Sequence, residues 1–143
     1  MEASDFDPRS LVGRETGWVE VYADQKTLDR YQASSGDRMI GIDGPPSRWD
    51  RPILPAGFLA AVRPDSGDLI PDFGRVRLNA GNEYQWFAPV FAGEKLLRKT
   101  RVADVRQKQG RSGTMWFIVI ESEYKRPDGQ VVAVQRATTI RRI

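Results

Sequence analysis

The sequence predicts an α+β fold: a single domain, residues 1–143, in which a curved antiparallel sheet wraps around a central helix. Three observations predict it. From Arg75 onward the chain reads as long strands separated by tight turns. The first half offers one capped amphipathic helix and then a stretch crowded with Pro and Gly. Between the two lies one short apolar segment, Ala56–Val62, available to fill the inside of such a sheet.

Along the chain, Met1–Gly17 is mixed and polar, with one apolar pair at Leu11–Val12. Trp18–Ala23 sets Trp18, Glu20 and Tyr22 against Val19 and Val21, the alternation of a short strand. Asp24 is placed to cap a helix over roughly Gln25–Ser34, with Leu28 and Tyr31 three apart on one face. Ser35-Gly36-Asp37 ends it. Gly44, Pro45, Pro46, Pro52 and Pro55 forbid regular structure across Gly41–Pro55. So long an irregular stretch in a small domain favours a functional or interface role. Ala56–Val62 reads as a buried strand or a buried helix. Its small residues favour a helix, starting at Pro55 and stopped by Pro64.

Arg75–Phe87 is a strand broken or bulged near Ala80–Gly81, and Pro89 and Gly93 mark a bend. Glu94–Lys108 has the length of a long twisted strand, and Gln109–Gly113 is a hairpin turn. Met115 to Ile120 are apolar in succession, as in a strand covered on both faces. Pro127-Asp128-Gly129 makes the next turn. Gln130–Arg141 closes the sheet, with Val132, Val134 and Ile140 on one face and Val131, Ala133 and Ala137 on the other.

Composition narrows the chemistry. The chain is 40% hydrophobic and 29% charged, an ordinary globular mixture. It contains no cysteine, which excludes disulfides, thiol nucleophiles and thiolate metal sites. It also contains no histidine, which excludes Ser-His-Asp, Cys-His and His-metal mechanisms, so no metal site is expected. Any proton transfer must use Asp, Glu, Tyr, Lys, Arg, Ser or Thr. The net charge of +3 is scattered apart from Arg98–Arg101, Arg106–Arg111 and Arg141–Arg142. A solvated sheet face explains it best. An anionic small molecule comes second, and no nucleic-acid partner is expected. With no long apolar run and no export pattern at Met1–Ser10, the expectation is a soluble, cytoplasmic protein without a membrane partner.

A helix enclosed by a curved antiparallel sheet is the hot-dog architecture, and three segments resemble one family with that fold. Asn79–Leu96 (NAGNEYQWFAPVFAGEKL) is similar to the glycine, acidic–aromatic, proline, glycine–acidic stretch of the MaoC-like (R)-enoyl-CoA hydratases and dehydratases. It is closest to their N-terminal-half type. Tyr124–Ala133 resembles that family's final hairpin, and Leu28–Asp37 the helix and Gly-Asp that lead into its catalytic loop. The resemblance as a whole covers roughly Leu11 to Arg142.

In active relatives that loop reads Gly-Asp-x-Asn-Pro-x-His, and a His-Gly opens the buried helix. Here the loop is Gly36-Asp37-Arg38-Met39-Ile40-Gly41-Ile42 and the His-Gly is Ala56-Gly57. The resemblance thus implies Asp37 as the remaining catalytic position. It also implies Ala56, Gly57, Phe58 and Trp86 as substrate-binding positions, the helix start offering backbone N–H groups to a thioester oxygen. Each has a plainer reading: Asp37 as a turn cap or a partner of Arg38, Gly57 as a packing glycine. Trp49, Phe58, Tyr84, Trp86 and Phe87 are either ordinary core or the wall of an acyl tunnel. Arg98, Lys99, Arg101, Arg106, Lys108 and Arg111 are a solvated face, or in part contacts to coenzyme A phosphates.

The resemblance implies no cofactor beyond the coenzyme A of an acyl-CoA substrate. It implies a MaoC-like partner subunit carrying the Asp and His, in a heterodimer or a dimer of heterodimers. The long, apolar last strand is an edge that such pairing would manage. Two other readings stay open. One is a stand-alone lyase or dehydratase using Asp37; the other is a homodimeric module that binds acyl-CoA without chemistry.

Overall fold

A computed structural model describes residues 6–35, 53–60 and 69–143. Five strands form one antiparallel sheet: β1 (Val19–Tyr22), β2 (Val76–Trp86), β3 (Lys95–Gly110), β4 (Gly113–Lys125) and β5 (Val131–Arg142). Their order is β1-β3-β4-β5-β2. One α-helix, α1 (Gln25–Ser35), and two short 3-10 helices, Pro8–Leu11 and Ala56–Ala60, complete the described elements. A curved antiparallel sheet with its helical elements on one side is the hot-dog fold expected from the sequence.

Local chemistry explains most of these elements. The Asp24 carboxylate accepts from the Thr27 N–H at 2.7 Å, capping α1 as expected. Leu28 is fully buried, and the Tyr31 ring meets Phe58 edge-on at 6.1 Å. The register of β2 on β5 shifts between Asn79 and Gly81, the bulge expected near Ala80. A second bulge between Val102 and Asp104 bends β3. The β3–β4 turn is only two residues, Arg111–Ser112, between the paired Gly110 and Gly113.

The inner face is set by alternation. Along β4 the buried residues are Trp116, Ile118, Ile120, Ser122 and Tyr124. Their cross-strand partners on β5 are Arg141, Thr139, Ala137, Gln135 and Ala133. One core cluster gathers Leu28, Leu54, Phe58, Leu59, Val90, Leu96 and Tyr124. The other gathers Leu11, Leu69, Ile70, Val102, Ile118 and Ile120.

The two edges of the sheet differ. Beyond β1, the outer edge of β3 is closed by the segment after Leu11. Gly13 N–H donates to Val102 O at 3.0 Å, Thr16 N–H to Thr100 O at 2.8 Å, and Val102 N–H to Arg14 O at 2.8 Å. At the opposite edge, β2 pairs only with β5 among the described residues and is exposed along most of its length. This corrects one expectation: the last strand, β5, is no edge but lies between β4 and β2. Its alternation puts Ala133, Gln135 and Arg141 inward, so two polar residues share its buried face. The open edge is β2.

Candidate functional site

Residues 53–60 are tied to the β2–β3 connection. Leu54 N–H donates to Val90 O at 2.8 Å, and Ile53 bridges Phe91. That connection is itself pinned by Arg126, whose guanidinium pairs with Glu94 and donates to Pro89 O at 2.6 Å and Gln130 Oε1 at 2.7 Å. Glu94 also accepts from the Phe91 N–H at 3.0 Å. Gly93, at φ 82, makes the turn that a side chain would strain, and its N–H reaches Ala23 O at 2.9 Å. The Pro89–Gly93–Glu94 pattern therefore locks the start of β3, the Ala56 segment and the β4–β5 hairpin together.

Of the expected site residues, Asp37 lies outside the described residues, as do Ile42 and Trp49. Ala56 opens a 3-10 helix that ends at Ala60, so within the described residues the expected helix is one short turn. Its Phe58 N–H is already used by Pro55 O at 3.0 Å. Gly57 is partly buried. Phe58 is 1% exposed and sits in the core against Tyr31. Trp86, the last residue of β2, is partly buried and packs on the same cluster. The fold thus brings Gly57, Phe58 and Trp86 into one neighbourhood, at the end of the sheet where α1 packs.

Two of the plainer readings fail, Phe87 as core and Arg98 as part of a solvated face. Phe87 is 55% exposed, because β2 has ended and the chain turns outward before Pro89. Arg98 does not belong to a solvated face: it is 6% exposed, on the inward-facing register of β3. The other basic positions do lie outward in part through ion pairs, Lys99 with Glu15 at 3.1 Å, Arg101 with Glu121 at 2.9 Å and Arg106 with Asp104 at 2.7 Å.

A polar stripe crosses the inner face, and little in the chain's residue pattern signals it. Arg98 is hydrogen-bonded to Tyr124, its direct neighbour on β4. Tyr124 donates to Gln135 Oε1 at 3.2 Å, and Gln135 Nε2 donates to the Tyr84 hydroxyl at 3.3 Å. Thr100 and Ser122 share a buried hydrogen bond at 2.9 Å beside it. Burial raises both Tyr124 and Tyr84, so each hydroxyl keeps its proton near neutral pH. Tyr84 accepts from Gln135 at the end of the stripe. The only signal available was alternation, which puts Ser122, Tyr124 and Gln135 in phase with buried positions. Among the described residues no carboxylate belongs to this stripe. The described part of the site can orient a polar group and wall an apolar one, but it holds no general base.

A depression of about 750 Å³ lies elsewhere, on the outer face, lined by Phe117 and Val119 and by Glu83, Asp104, Arg106 and Arg136. It includes none of the expected site residues. Among the described residues, no three or more Asp or Glu side chains converge to hold a metal, and no helix is long and apolar enough to cross a membrane.

Comparison with known proteins supplies the family. A model of the FAS1-like, dehydratase domain region matches residues 12–135. No curated protein sequence matches. Solved structures share the fold. A chain of the ChsH1–ChsH2 complex of Mycobacterium tuberculosis is similar with 19% identity and a TM-score of 0.67, over 93% of this chain and 85% of that one. A chain of the HadBC (3R-hydroxyacyl-ACP dehydratase) complex of the same organism gives 17% identity and a TM-score of 0.66, over 91% and 96%. The (R)-hydratase of A. caviae involved in PHA biosynthesis gives 18% and 0.63, over 90% and 94%. The chain belongs to the FAS1-like dehydratase domain family and shares the hot-dog fold of the MaoC-like hydratases.

Proposed function

We propose that this chain is the non-catalytic subunit of a heteromeric MaoC-like enoyl-CoA hydratase, shaping the acyl pocket for a bulky acyl group such as a steroid side chain. One observation carries the reading: a chain of this family contains no histidine, and isoleucine, Ile42, stands where the resemblance expects the catalytic imidazole. Adding water to an enoyl thioester puts hydroxide on the β-carbon and a proton on the α-carbon, and both transfers need a titratable group held against the substrate. An isoleucine cannot serve. The partner would supply the Asp and His, and this chain the wall formed by Phe58, Trp86 and Tyr84.

The open β2 edge supports a partner. It is eleven residues long, carries the exposed Leu78, and among the described residues has no strand on its outer side, so it can take another sheet. Two of the similar structures are themselves complexes of two named components, ChsH1–ChsH2 and HadBC. We place the complex in the cytoplasm, with coenzyme A entering only as part of the acyl-CoA.

The test is co-expression with a similar chain that carries Gly-Asp-x-Asn-Pro-x-His, followed by sizing and an enoyl-CoA hydratase assay. The expected result is a stable complex that hydrates the substrate, a lone chain that does not, and no loss of turnover on Asp37→Asn. Full activity from the lone chain, abolished by Asp37→Asn, would overturn the proposal in favour of a stand-alone lyase. Tight acyl-CoA binding by a homodimer that ignores every such partner would overturn it in favour of a binding module.

A further inference from the structure

Among the described residues, one buried charge on the inner face has nitrogen atoms without a hydrogen-bond acceptor. Arg141 is 9% exposed, and its Nε and Nη1 are buried without a hydrogen-bond partner. The other buried atom in this state is Trp116 Nε1, on the residue directly opposite Arg141 across β4 and β5. All three atoms are donors, so the missing partner is an acceptor. The ring of Phe73, 5.9 Å from the guanidinium carbon, offsets part of the charge but accepts no N–H bond from Nε or Nη1. Gly74 packs its backbone against the β5 end, where a Cβ would meet Arg142 O at 2.9 Å and Arg141 Cβ at 3.5 Å.

Arg141 lines a groove of about 280 Å³ along β2 and β5, which it shares with Arg77, Asn79 and Asn82. Asn79 accepts from the Gly81 N–H at 3.0 Å through its side-chain oxygen, so its NH₂ is the end that can donate elsewhere. Among the described residues no carboxylate lines the groove. Asp72 pairs with Arg77, so among the described residues the two arginines and this one acid leave a single positive charge. Burial, and after it the charge of Arg77, lowers Arg141 from the usual arginine value, yet a guanidinium does not lose its proton in a protein.

The geometry points to a binding site for a singly charged carboxylate in this groove, gripped by the Arg141 guanidinium and flanked by the Asn79 amide. A monoanion cancels the net charge of the cluster, whereas a phosphate dianion would invert it. The planar fork of arginine matches the two oxygens of a carboxylate. The groove takes a small acid, or the acidic end of a longer molecule reaching in along the open β2 edge. The site stands on this chain alone, whether or not the chain is half of a hydratase.

The test uses the full chain. Its melting temperature is followed against acetate and butanoate, with chloride at equal ionic strength and inorganic phosphate as controls, in wild type and Arg141→Met. The expected result is a saturable rise of about 5 °C at tenfold excess over the dissociation constant. It should be less than half as large with phosphate, absent with chloride, and lost in Arg141→Met, whose own melting point equals or exceeds that of the ligand-free wild type. No carboxylate response, an equal response in Arg141→Met, or a larger response to phosphate would overturn the site. If Arg141→Met does not fold, the ¹⁵N resonance of the wild-type Arg141 Nε decides. A saturable shift with butanoate supports the site, and an unmoved resonance overturns it.

Discussion

Two arginines, Arg98 and Arg141, lie on the same inner face at nearly equal burial, 6% and 9% exposed, and their surroundings differ in kind. Arg98 stands opposite Tyr124 and is bonded to it, and the chain of polar groups runs on through Gln135 to Tyr84. Arg141 stands opposite Trp116, and neither finds an acceptor. A buried charge is tolerated when hydrogen bonds replace the water it lost, and the first arginine meets that condition. The second does not, so folding alone gives no reason to keep it. A residue that violates local satisfaction without a compensating gain is where a function other than stability is to be sought.

The contrast can be broken most sharply at Arg98. Arg98→Met keeps the apolar stem but strands the Tyr124 end of the stripe, and is expected to cost about 3 kcal/mol, read from the urea midpoint at constant slope. Arg141→Met is expected to move the other way, a gain of about 1 kcal/mol, because it replaces an unsatisfied buried cation with a side chain of similar reach. The sign matters more than the size. Equal losses at both positions would mean that Arg141 is as well satisfied as Arg98, and the difference between the two ends of the sheet would be gone. At the open edge, Leu78→Lys is expected to leave the lone chain within about 0.5 kcal/mol of wild type, since the residue is exposed, while abolishing co-purification with a partner.

How far the sequence shows these features depends on the range over which each is determined. The Asp24 cap, the Leu28–Tyr31 face, the bulge at Ala80 and the turn at Pro127–Gly129 are set by neighbours a few residues away, and all were legible. Strand order was not. A long apolar last strand suggested an edge, but β5 is apolar because β4 and β2 flank it, and nothing local encodes that. The site was legible in part. Phe58 and Trp86 do meet in one cluster. The stripe from Arg98 to Tyr84 crosses four strands, and its partners are up to 51 residues apart. Arg98 looked like one more surface cation because its sequence neighbours are cations; alternation on a strand, in phase with Leu96, Thr100 and Val102, was the stronger rule. Arg141, in a run of terminal arginines, was hidden in the same way.

Tyr124→Phe resolves the partnered end most finely. It removes one hydroxyl and no volume from the core, so the loss is about 1 kcal/mol near neutral pH, where Gln135 and Arg98 each lose a partner. The pH dependence carries more information. Burial raises the folded-state value of Tyr124 above that of the unfolded chain, about 10. The folded state therefore holds the phenolic proton more tightly. That contribution is complete below about pH 10 and is lost as pH climbs from there toward the raised folded value. Wild type should lose stability more steeply than Tyr124→Phe between about pH 9.5 and 11 in urea melts at constant ionic strength. Parallel curves would mean that the Tyr124 phenolate is as well accommodated in the fold as in water. Arg98 would then be neutralising the phenolate rather than donating to the hydroxyl of a burial-raised tyrosine.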